Sequence, residues 1–507
     1  MKLKRTPRVI PFVVFTLCLG LGWANGESSR YVAVKALPTL PEREFRGVWV
    51  TTVHNVDWPS KPGLPMEEQQ EEFIALLDRC VELNLNAVVL QIRSQCDTIW
   101  PSKIEPWCPW FTGTMGTDPG YDPLAFALKE THRRGLELHA WLNPFRVINS
   151  KYVNPSETHL AVSHKKSLRY YGDKIWLEPT QEFARQRVKK VVKEVLTKYD
   201  VDAIHLDDYF YPYPIKDKKG EWTQFNDYYS WLAYKESGGL LSKGDWRREH
   251  VNDFVRDLRA EVKRIKPWVK FGISPFGIYS PGYPEQVKAG LDTYESLYTD
   301  VLLWWQEGWV DYLAPQLYWD TTHPQLGFAG LYDWWRDENV VQRHLWPGIA
   351  TYRIKTEQRS AKESLRQIEI ARKHNNLPYG TGHLHFSMNA LMENVSNVNG
   401  ILKGGAYDEI ALVPESPWLV RKKPPVINAS IESRQETNQL NVSFGPKEEN
   451  FRWWLIQVLE KGEWKTLRVL PRTATSYKME TIPSMIAVTP MGLAGELGKA
   501  VVFERQE

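Results

Sequence analysis

The chain has 507 residues, and its apolar and charged fractions of 42% and 25% argue against intrinsic disorder. The formal net charge is only +3, and its excess lies at the N-terminus, so we expect no nucleic-acid partner. The 23 tryptophans and 23 tyrosines are typical either of large aromatic cores or of flat surfaces that stack on sugar rings.

Residues 1–26 have the pattern of a secretory signal peptide. The basic segment MKLKRTPR precedes an apolar stretch, and Ala24, Asn25 and Gly26 offer the small residues that a signal peptidase needs. An uncleaved anchor is the alternative, but the apolar stretch is short for one. Cleavage removes four positive charges and no acid, which leaves a net charge of about −1. We therefore expect a secreted or periplasmic protein with no membrane span after cleavage.

Eight apolar, strand-like runs alternate with helical patterns between residues 42 and 420. The runs are 45–52, 86–93, 136–145, 202–210, 270–277, 311–319, 345–352 and 380–387. Their apolar character suits parallel strands that are buried on both faces. Eight such units predict an α/β fold, a TIM (β/α)8 barrel over 42–420. An open doubly wound sheet is the alternative, but no Gly-rich phosphate loop follows any strand.

The pattern changes after the Lys- and Pro-rich stretch 421–425, which has the composition of a linker. Short strand-like runs with turns between them follow it. They predict a small C-terminal β-sandwich of fibronectin type III or immunoglobulin type over 424–507.

Three cysteines lie beyond the predicted signal peptide. In an oxidising compartment Cys96 and Cys108 could form a disulfide and leave Cys80 free. The sequence has no C-x-x-C motif, so a structural zinc site is not expected.

Barrel enzymes carry their catalytic side chains at the carboxyl ends of the strands. Strand residues two apart share a face, so two sets of side chains are expected to point the same way. The sets are His205, Asp207 and Tyr209 from the fourth strand, and Gln316, Tyr318 and Asp320 from the sixth. If both faces point into the barrel mouth, Asp207 and Asp320 approach each other across it.

Two carboxylates across a cleft lined by Trp and Tyr are the machinery of glycoside hydrolysis, in which one acid protonates the leaving oxygen. Asp207, flanked by His205, is the candidate for the ionised partner. Asp320 follows Trp319, so its pKa could be raised and it could act as the acid. The alternative is structural, because an Asp-Asp pair after a strand often caps a helix or starts a turn.

The other candidates are expected to bind the substrate. They are Arg93, Asp97, His139, Trp141, Asn143, Arg146, His205, Asp208, Tyr209, Gln316, Tyr318, Trp319 and His385. For Arg93 and Asn143 a structural ion pair or cap is the alternative. Trp141 and Trp319 are the expected stacking platforms for sugars. Asp208 is expected to point away from Asp207 and to shape the loop.

Metal-dependent hydrolysis is a competing chemistry. His383 and His385 form a His-x-His motif, to which His139, His205 and Asp207 could add ligands. Barrel metallohydrolases of the amidohydrolase type carry this motif on the first strand, which reads VWVTT here. We therefore predict no metal and no cofactor. Serine hydrolysis is weaker still, because the sequence has no G-x-S-x-G motif.

Six motifs at the strand ends resemble the glycosyl hydrolase-like 10 family of bacterial secreted proteins. In order they are EFRGVWVTTVHNVDWPS, NAVVLQIRSQCDTIWPS, HAWLNPFRV, IHLDDYFYPYP, GISPFGIY and APQLYWD. The resemblance covers roughly residues 42–420. It implies a TIM barrel with glycosidase activity in a bacterial cell envelope, on a polysaccharide such as peptidoglycan glycan strands stripped of their peptides. Two alternatives are a non-catalytic glycan-binding protein and a metal-dependent deacetylase or amidase.

The barrel also looks similar to the α-galactosidase-like superfamily, in which aspartates that end strands 4 and 6 serve as nucleophile and acid. By position these are Asp207 and Asp320. The family often has LDPG where this chain reads LEPT at 177–180, which leaves the role of Glu178 open. Cys96 stands where a glycine is more usual, which could allow the disulfide with Cys108.

Overall fold

The structure is a computed structural model. It describes residues 30–149, 153–288, 290–377, 380–420, 422–434, 439–445 and 451–506. The predicted signal peptide, residues 1–26, and the first residue of the predicted linker, 421, lie outside the described residues. No helix of the described ranges is long and apolar enough to cross a bilayer.

The chain forms strands and helices in alternation, followed by a strand-rich region. The strands are β1 Arg30–Val34, β2 Glu44–Val50, β3 Ala87–Arg93, β4 Glu137–Leu142, β5 Arg146–Ile148, β6 Leu168–Tyr171, β7 Lys174–Leu177, β8 Ala203–Leu206, β9 Lys270–Ile273, β10 Tyr312–Leu313, β11 His344–Leu345, β12 Gly348–Ile349, β13 Thr381–His385, β14 Asn428–Arg434, β15 Gln439–Gly445, β16 Phe451–Glu460, β17 Glu463–Pro471, β18 Ser476–Met479, β19 Met485–Gly492 and β20 Val501–Gln506.

The helices are α1 Met66–Glu82, α2 Pro109–Thr112, α3 Pro123–Arg133, α4 Leu160–Ser163, α5 Glu182–Lys198, α6 Tyr228–Glu236, α7 Lys243–Ile265, α8 Thr293–Ser296, α9 Val301–Gln306, α10 Phe328–Asp337, α11 Arg353–Thr356, α12 Lys362–His374, α13 Met388–Met392 and α14 Val398–Lys403. Short 3-10 turns lie at Val53–Asn55, Lys165–Ser167 and Val395–Asn397. Helices α3, α7, α8 and α9 each begin after an Asp or Ser whose side chain accepts a hydrogen bond from a backbone N–H of the first turn.

The central sheet has nine parallel strands in the order β11-β10-β9-β8-β4-β3-β2-β13-β12. Its two end strands, β11 and β12, are halves of one segment, 344–349, that Pro347 interrupts. On one side Trp346 N–H donates to Leu313 O at 2.8 Å, and on the other Leu384 N–H donates to Pro347 O at 3.0 Å. The sheet therefore curls until its two ends share one segment. All eight predicted runs lie in it, so the prediction of a parallel barrel-like sheet is confirmed.

Two of these strands end much earlier than their apolar runs predict. The run 202–210 gives only β8, which ends at Leu206, and the run 311–319 gives only β10, which ends at Leu313. Pro315 follows β10 closely and has no N–H to donate to a neighbouring strand. These early ends decide which way the following side chains point.

The strand-rich C-terminal region forms two antiparallel sheets, in the orders β1-β20-β19-β16-β17 and β14-β15-β18. Leu440 and Val442 of one sheet share an apolar core with Trp454 and Ile456 of the other. Strand β1, which precedes the barrel, pairs with β20, so the larger sheet joins distant parts of the chain. The fibronectin- or immunoglobulin-like identity of this region stays a prediction.

The C-terminal region packs against the amino ends of the barrel strands. Arg452 of β16 donates to Asp202, which directly precedes β8, with its Nε 2.8 Å from the carboxylate. Leu412 packs in one apolar cluster with Trp453 and Met491. This contact lies at the end of β8 opposite Asp207.

The predicted disulfide is not formed, because Cys80, Cys96 and Cys108 are all free and buried. The Cys96 thiol instead accepts a hydrogen bond from Arg93 Nη2 at 3.0 Å. Burial raises the pKa of the Cys96 thiol to about 12, so it stays protonated at neutral pH.

Candidate active site

A cavity of about 360 Å³ lies at the carboxyl ends of the barrel strands. Its walls are built from the last residues of these strands and from the loops that follow them. The lining residues are Trp49, Thr51, Val53, Val56, Gln91, Trp141, Arg146, Asn149, Asp207, Asp208, Tyr209, Ser274, Gln316, Tyr318 and Phe386. We refer to this space as the aspartate cavity.

Asp207 is the first residue after β8, and only 3% of its surface is exposed. The Trp141 indole Nε1 donates to its Oδ2 at 3.3 Å, and the Asn143 side-chain amide donates to the same oxygen. Burial raises the pKa of Asp207 to about 7, although the positive charge of Arg146 opposes the rise. At neutral pH this carboxyl group is therefore close to half protonated.

Asp208 lines the same cavity, which corrects the prediction that it points away from Asp207. The alternation of side chains holds only along an extended strand, and β8 has already ended at Leu206. Burial raises the pKa of Asp208 to about 6, and the hydroxyl of Tyr213, which donates to its Oδ2, opposes the rise.

The two adjacent carboxyl groups thus titrate close to neutral pH. The pKa values of about 7 for Asp207 and about 6 for Asp208 favour Asp208, rather than the predicted Asp207, as the ionised member of the pair. Among the described residues that line the aspartate cavity, only Arg146 carries a positive charge. A site of this kind can hold one proton between two acids at the pH where it works.

A chain of side-chain amides orients the donors that reach Asp207. The Oε1 atom of Gln91 accepts a hydrogen bond from the backbone N–H of Val53 at 3.0 Å. The NH2 group of Gln91 therefore faces Asn143. That group donates to Asn143 Oδ1 at 2.7 Å, as does Arg146 Nη2 at 2.7 Å. Because its oxygen is occupied, Asn143 presents its NH2 to Asp207.

Two predicted histidines lie beneath the cavity rather than in its lining. The Nδ1 atoms of His139 and His205 lie 3.0 and 2.9 Å from the Tyr312 hydroxyl, and His205 Nε2 lies 3.1 Å from Ser274 Oγ. Burial holds the pKa of His205 well below its usual value, so the imidazole is neutral. These side chains form a fixed floor under Asp207.

Arg93 and Asp97, both predicted to bind substrate, are buried away from the cavity. Arg93 pairs with Glu105 through its Nε at 2.7 Å and its Nη2 at 2.8 Å, which is the structural alternative stated for it. Asp97 accepts the backbone N–H groups of Ser94 and Gln95 at 3.1 and 2.9 Å. Both side chains brace the loop after β3.

Asp320 and Trp319 are not among the residues that line the aspartate cavity. The Asp320 carboxylate pairs with Arg359 Nε at 2.5 Å, and Trp319 packs edge-on against Phe276 at 5.7 Å. The predicted approach of Asp320 to Asp207 assumed an extended strand, but β10 ends seven residues earlier, at Leu313. The structure brings Asp208 to Asp207 instead.

The His-x-His motif serves a buried contact. The imidazoles of His383 and His385 both meet the Tyr407 hydroxyl, and His385 Nδ1 also lies 2.7 Å from Thr351 Oγ1. In the part of the chain that the structure describes, no three His, Cys, Asp or Glu side chains are grouped so that they could hold a metal ion.

Several lining residues were not predicted. They are Trp49, Thr51, Val53, Val56, Gln91, Asn149, Ser274 and Phe386. Gln91 is a polar residue inside the apolar run 86–93, and that contrast was an available signal. The predicted residues that do line the cavity are Trp141, Arg146, Asp207, Asp208, Tyr209, Gln316 and Tyr318.

The sequence matches the model of the family described as Glycosyl hydrolase-like 10 over residues 44–364. The chain belongs to the glycosyl hydrolase-like 10 family. The matched residues run from the first barrel strand past β12 and include both aspartates of the cavity. The resemblance inferred from the six motifs is thereby confirmed.

Two relatives of the chain carry the name glycosyl hydrolase. The chain is 38% identical to "Glycosyl hydrolase YngK" of Bacillus subtilis over 447 residues, 85% of each chain. It is 33% identical to "Glycosyl hydrolase DigH" of Escherichia coli K12 over 331 residues, 61% of this chain and 74% of the relative. A solved PgaB (BpsB) glycoside hydrolase domain of Bordetella bronchiseptica aligns with a TM-score of 0.49 and 13% identity, over 71% of this chain and 98% of that one.

Proposed function

We propose that the protein is a secreted glycoside hydrolase that cleaves glycosidic bonds in bacterial cell-wall polysaccharide, with peptide-free peptidoglycan strands as its substrate. The observation that carries the proposal is the pair of buried carboxyl groups, Asp207 and Asp208, with pKa values of about 7 and about 6 in one cavity. The names of the two relatives support the hydrolase assignment. The pattern of residues 1–26 supports secretion.

In this proposal Asp207 is the proton donor. Its protonated carboxyl group gives its proton to the glycosidic oxygen as the bond from that oxygen to the anomeric carbon breaks. The ionised Asp208 stabilises the positive charge that develops on the sugar and accepts a proton from the water that attacks the anomeric carbon. After the reaction Asp208 returns that proton to solvent, and Asp207 takes one up.

The remaining lining residues position the sugar. Trp49, Trp141, Tyr318 and Phe386 supply aromatic surfaces, which suit the C–H faces of a pyranose ring. Trp141 and Asn143 also hold Asp207 in one orientation through their hydrogen bonds. A fixed acid beside a stacked ring is the arrangement that glycoside hydrolysis needs.

Product release tests the proposal. The chain without residues 1–26 is incubated with peptidoglycan strands from which an amidase has removed the peptides, and soluble fragments are identified by mass spectrometry. We expect fragments from the wild type and almost none from Asp207→Asn. Asp320→Asn is the matched control, because Asp320 is paired with Arg359 outside the cavity.

Two outcomes would overturn the assignment. Equal product release by the wild type and Asp207→Asn would remove Asp207 from the chemistry. Binding of the strands without any product would instead favour the non-catalytic glycan-binding alternative.

A further inference from the structure

A second and larger cavity, of about 820 Å³, lies next to the aspartate cavity. We call it the aromatic groove. Its lining includes Tyr211, Tyr213, Trp222, Phe225, Phe276 and Tyr298. The volume falls within the roughly 300–1,000 Å³ typical of sites for organic ligands. The proposed reaction uses none of this space.

Tyr213 is the wall between the two cavities. It lines the aromatic groove, and its hydroxyl donates to Asp208 in the aspartate cavity. Its ring lies 5.5 Å from that of Tyr209, which lines the aspartate cavity, and 6.2 Å from that of Phe276, which lines the groove. A chain molecule that leaves the aspartate cavity past Asp208 therefore meets the groove next.

The charges of the groove indicate what it can bind. Arg247 is the cation among the described residues that line the groove. Its Nε and Nη2 already donate to the Asp227 carboxylate, at 2.6 Å each. Arg247 Nη1 donates to the Tyr298 hydroxyl at 2.5 Å. The carboxylates of Asp292 and Glu295 also line the groove. Near Asp292 and Glu295 an anionic group would meet like charge, whereas an uncharged one would not.

Trp222 gives the groove an open aromatic surface, since 61% of this residue is exposed. The backbone of Trp222 pairs with that of Lys216, whose Nζ lies 5.0 Å from the ring centroid. Exposed flat rings in a groove stack well on the apolar faces of sugars.

We propose that the aromatic groove binds uncharged sugar residues, such as N-acetylglucosamine units, of a glycan chain whose next residues occupy the aspartate cavity. The inference rests on the proposed function for the nature of the chain, and it goes beyond it by assigning a second, separate set of sugar contacts. It makes the protein selective for chains over short fragments.

Binding measurements test the groove without turnover. In the Asp207→Asn background, affinities are measured by calorimetry for β-1,4-linked N-acetylglucosamine oligomers of two and six units. We expect the hexamer to bind more tightly than the dimer, and Trp222→Ala to lower that ratio about tenfold. Tyr229→Ala is the matched control, because Tyr229 is 79% exposed on α6 and does not line either cavity.

The groove assignment is overturned if the hexamer binds no more tightly than the dimer or if Trp222→Ala behaves like Tyr229→Ala. Peptide-free peptidoglycan strands form a second arm. Dependence on Trp222 with these strands but not with the uncharged hexamer would contradict the inferred charge preference. Trp222-dependent binding together with no product from the wild type would sink the hydrolase proposal and leave the groove in place.

Discussion

Strand β8 has a pair of buried or half-buried acids at each end, and the two pairs behave in opposite ways. Asp200 and Asp202 lie before the strand, where burial disfavours ionisation of Asp202 but Arg452 and His132 outweigh it, so that its pKa falls below its usual value. Asp207 and Asp208 lie after the strand, where burial raises both pKa values. Aspartates that flank the same short strand are thus anionic before it and titrate near neutral pH after it.

The difference lies in what covers each end. The C-terminal region places Arg452 on Asp202, so the buried charge has a partner and ties the two regions of the chain together. Nothing comparable covers Asp207, whose neighbours among the described residues are mainly neutral donors and aromatic rings. One end of β8 therefore carries a paired, ionised acid, and the other carries two acids that titrate near neutral pH.

The largest effect is expected at the cavity end. Asp208→Asn should lower kcat/KM on peptide-free glycan strands by about 10²–10⁴-fold, because it removes the ionised partner of the proposed acid pair. Initial rates of fragment release measure this. Asp320→Asn should leave kcat/KM nearly unchanged, and a reversal of these two results would restore Asp320 as the partner of Asp207.

At the other end the expected loss is in stability. Arg452→Met should lower the free energy of unfolding by about 3–5 kcal/mol, because it leaves Asp202 charged and buried without its main partner. Lys465→Met, which breaks an exposed pair with Glu409, should leave the free energy of unfolding nearly unchanged. Guanidinium unfolding followed by tryptophan fluorescence compares them, and equal midpoints for the two variants would contradict the role given to Arg452.

The pH dependence of stability should separate the two ends. Asp207 keeps its proton in the folded protein up to about pH 7 but loses it near pH 4 when unfolded, so its contribution to stability falls as the pH rises through this window. Asp207→Asn should therefore stabilise the protein at about pH 8, by up to about 4 kcal/mol, and less at about pH 5.

Asp202→Asn should act in the opposite direction. The folded-state pKa of Asp202 is lowered, so its ionised form stabilises the protein above the unfolded pKa, and this contribution is lost only as the pH falls toward the folded pKa. Thermal unfolding at several pH values checks both variants. A stability change of the same sign in the two would refute the contrast between the ends.

The smallest expected effect concerns Tyr213. Tyr213→Phe removes a hydrogen bond that lowers the pKa of Asp208, so that pKa should rise by about one unit. The acid limb of the pH profile of kcat/KM should shift to higher pH by the same amount. Tyr211→Phe is the control, because its hydroxyl has no hydrogen-bond partner among the described residues. An unmoved limb in Tyr213→Phe would mean that Asp208 does not set it.

Much of the barrel could be predicted from local pattern, because a buried parallel strand needs a short, wholly apolar run. All eight runs lie in the central sheet, and Asp207 was correctly placed at the carboxyl end of the fourth strand. The ends of the strands could not be predicted so well. Since β8 stops at Leu206 and β10 at Leu313, the alternation of side chains fails beyond them, and the directions of Asp208 and Asp320 were predicted wrongly.

The sequence by itself determined the family, the run of buried strands and the position of the acids, because these depend on residue type and local spacing. Only the tertiary structure decided which acids share a cavity, since Asp320 is held by Arg359 and Asp208 joins Asp207. It also decided the charge states at the two ends of β8. Arg452 reaches Asp202 across 250 residues of sequence, and a pKa depends on such neighbours in space, which local spacing does not encode.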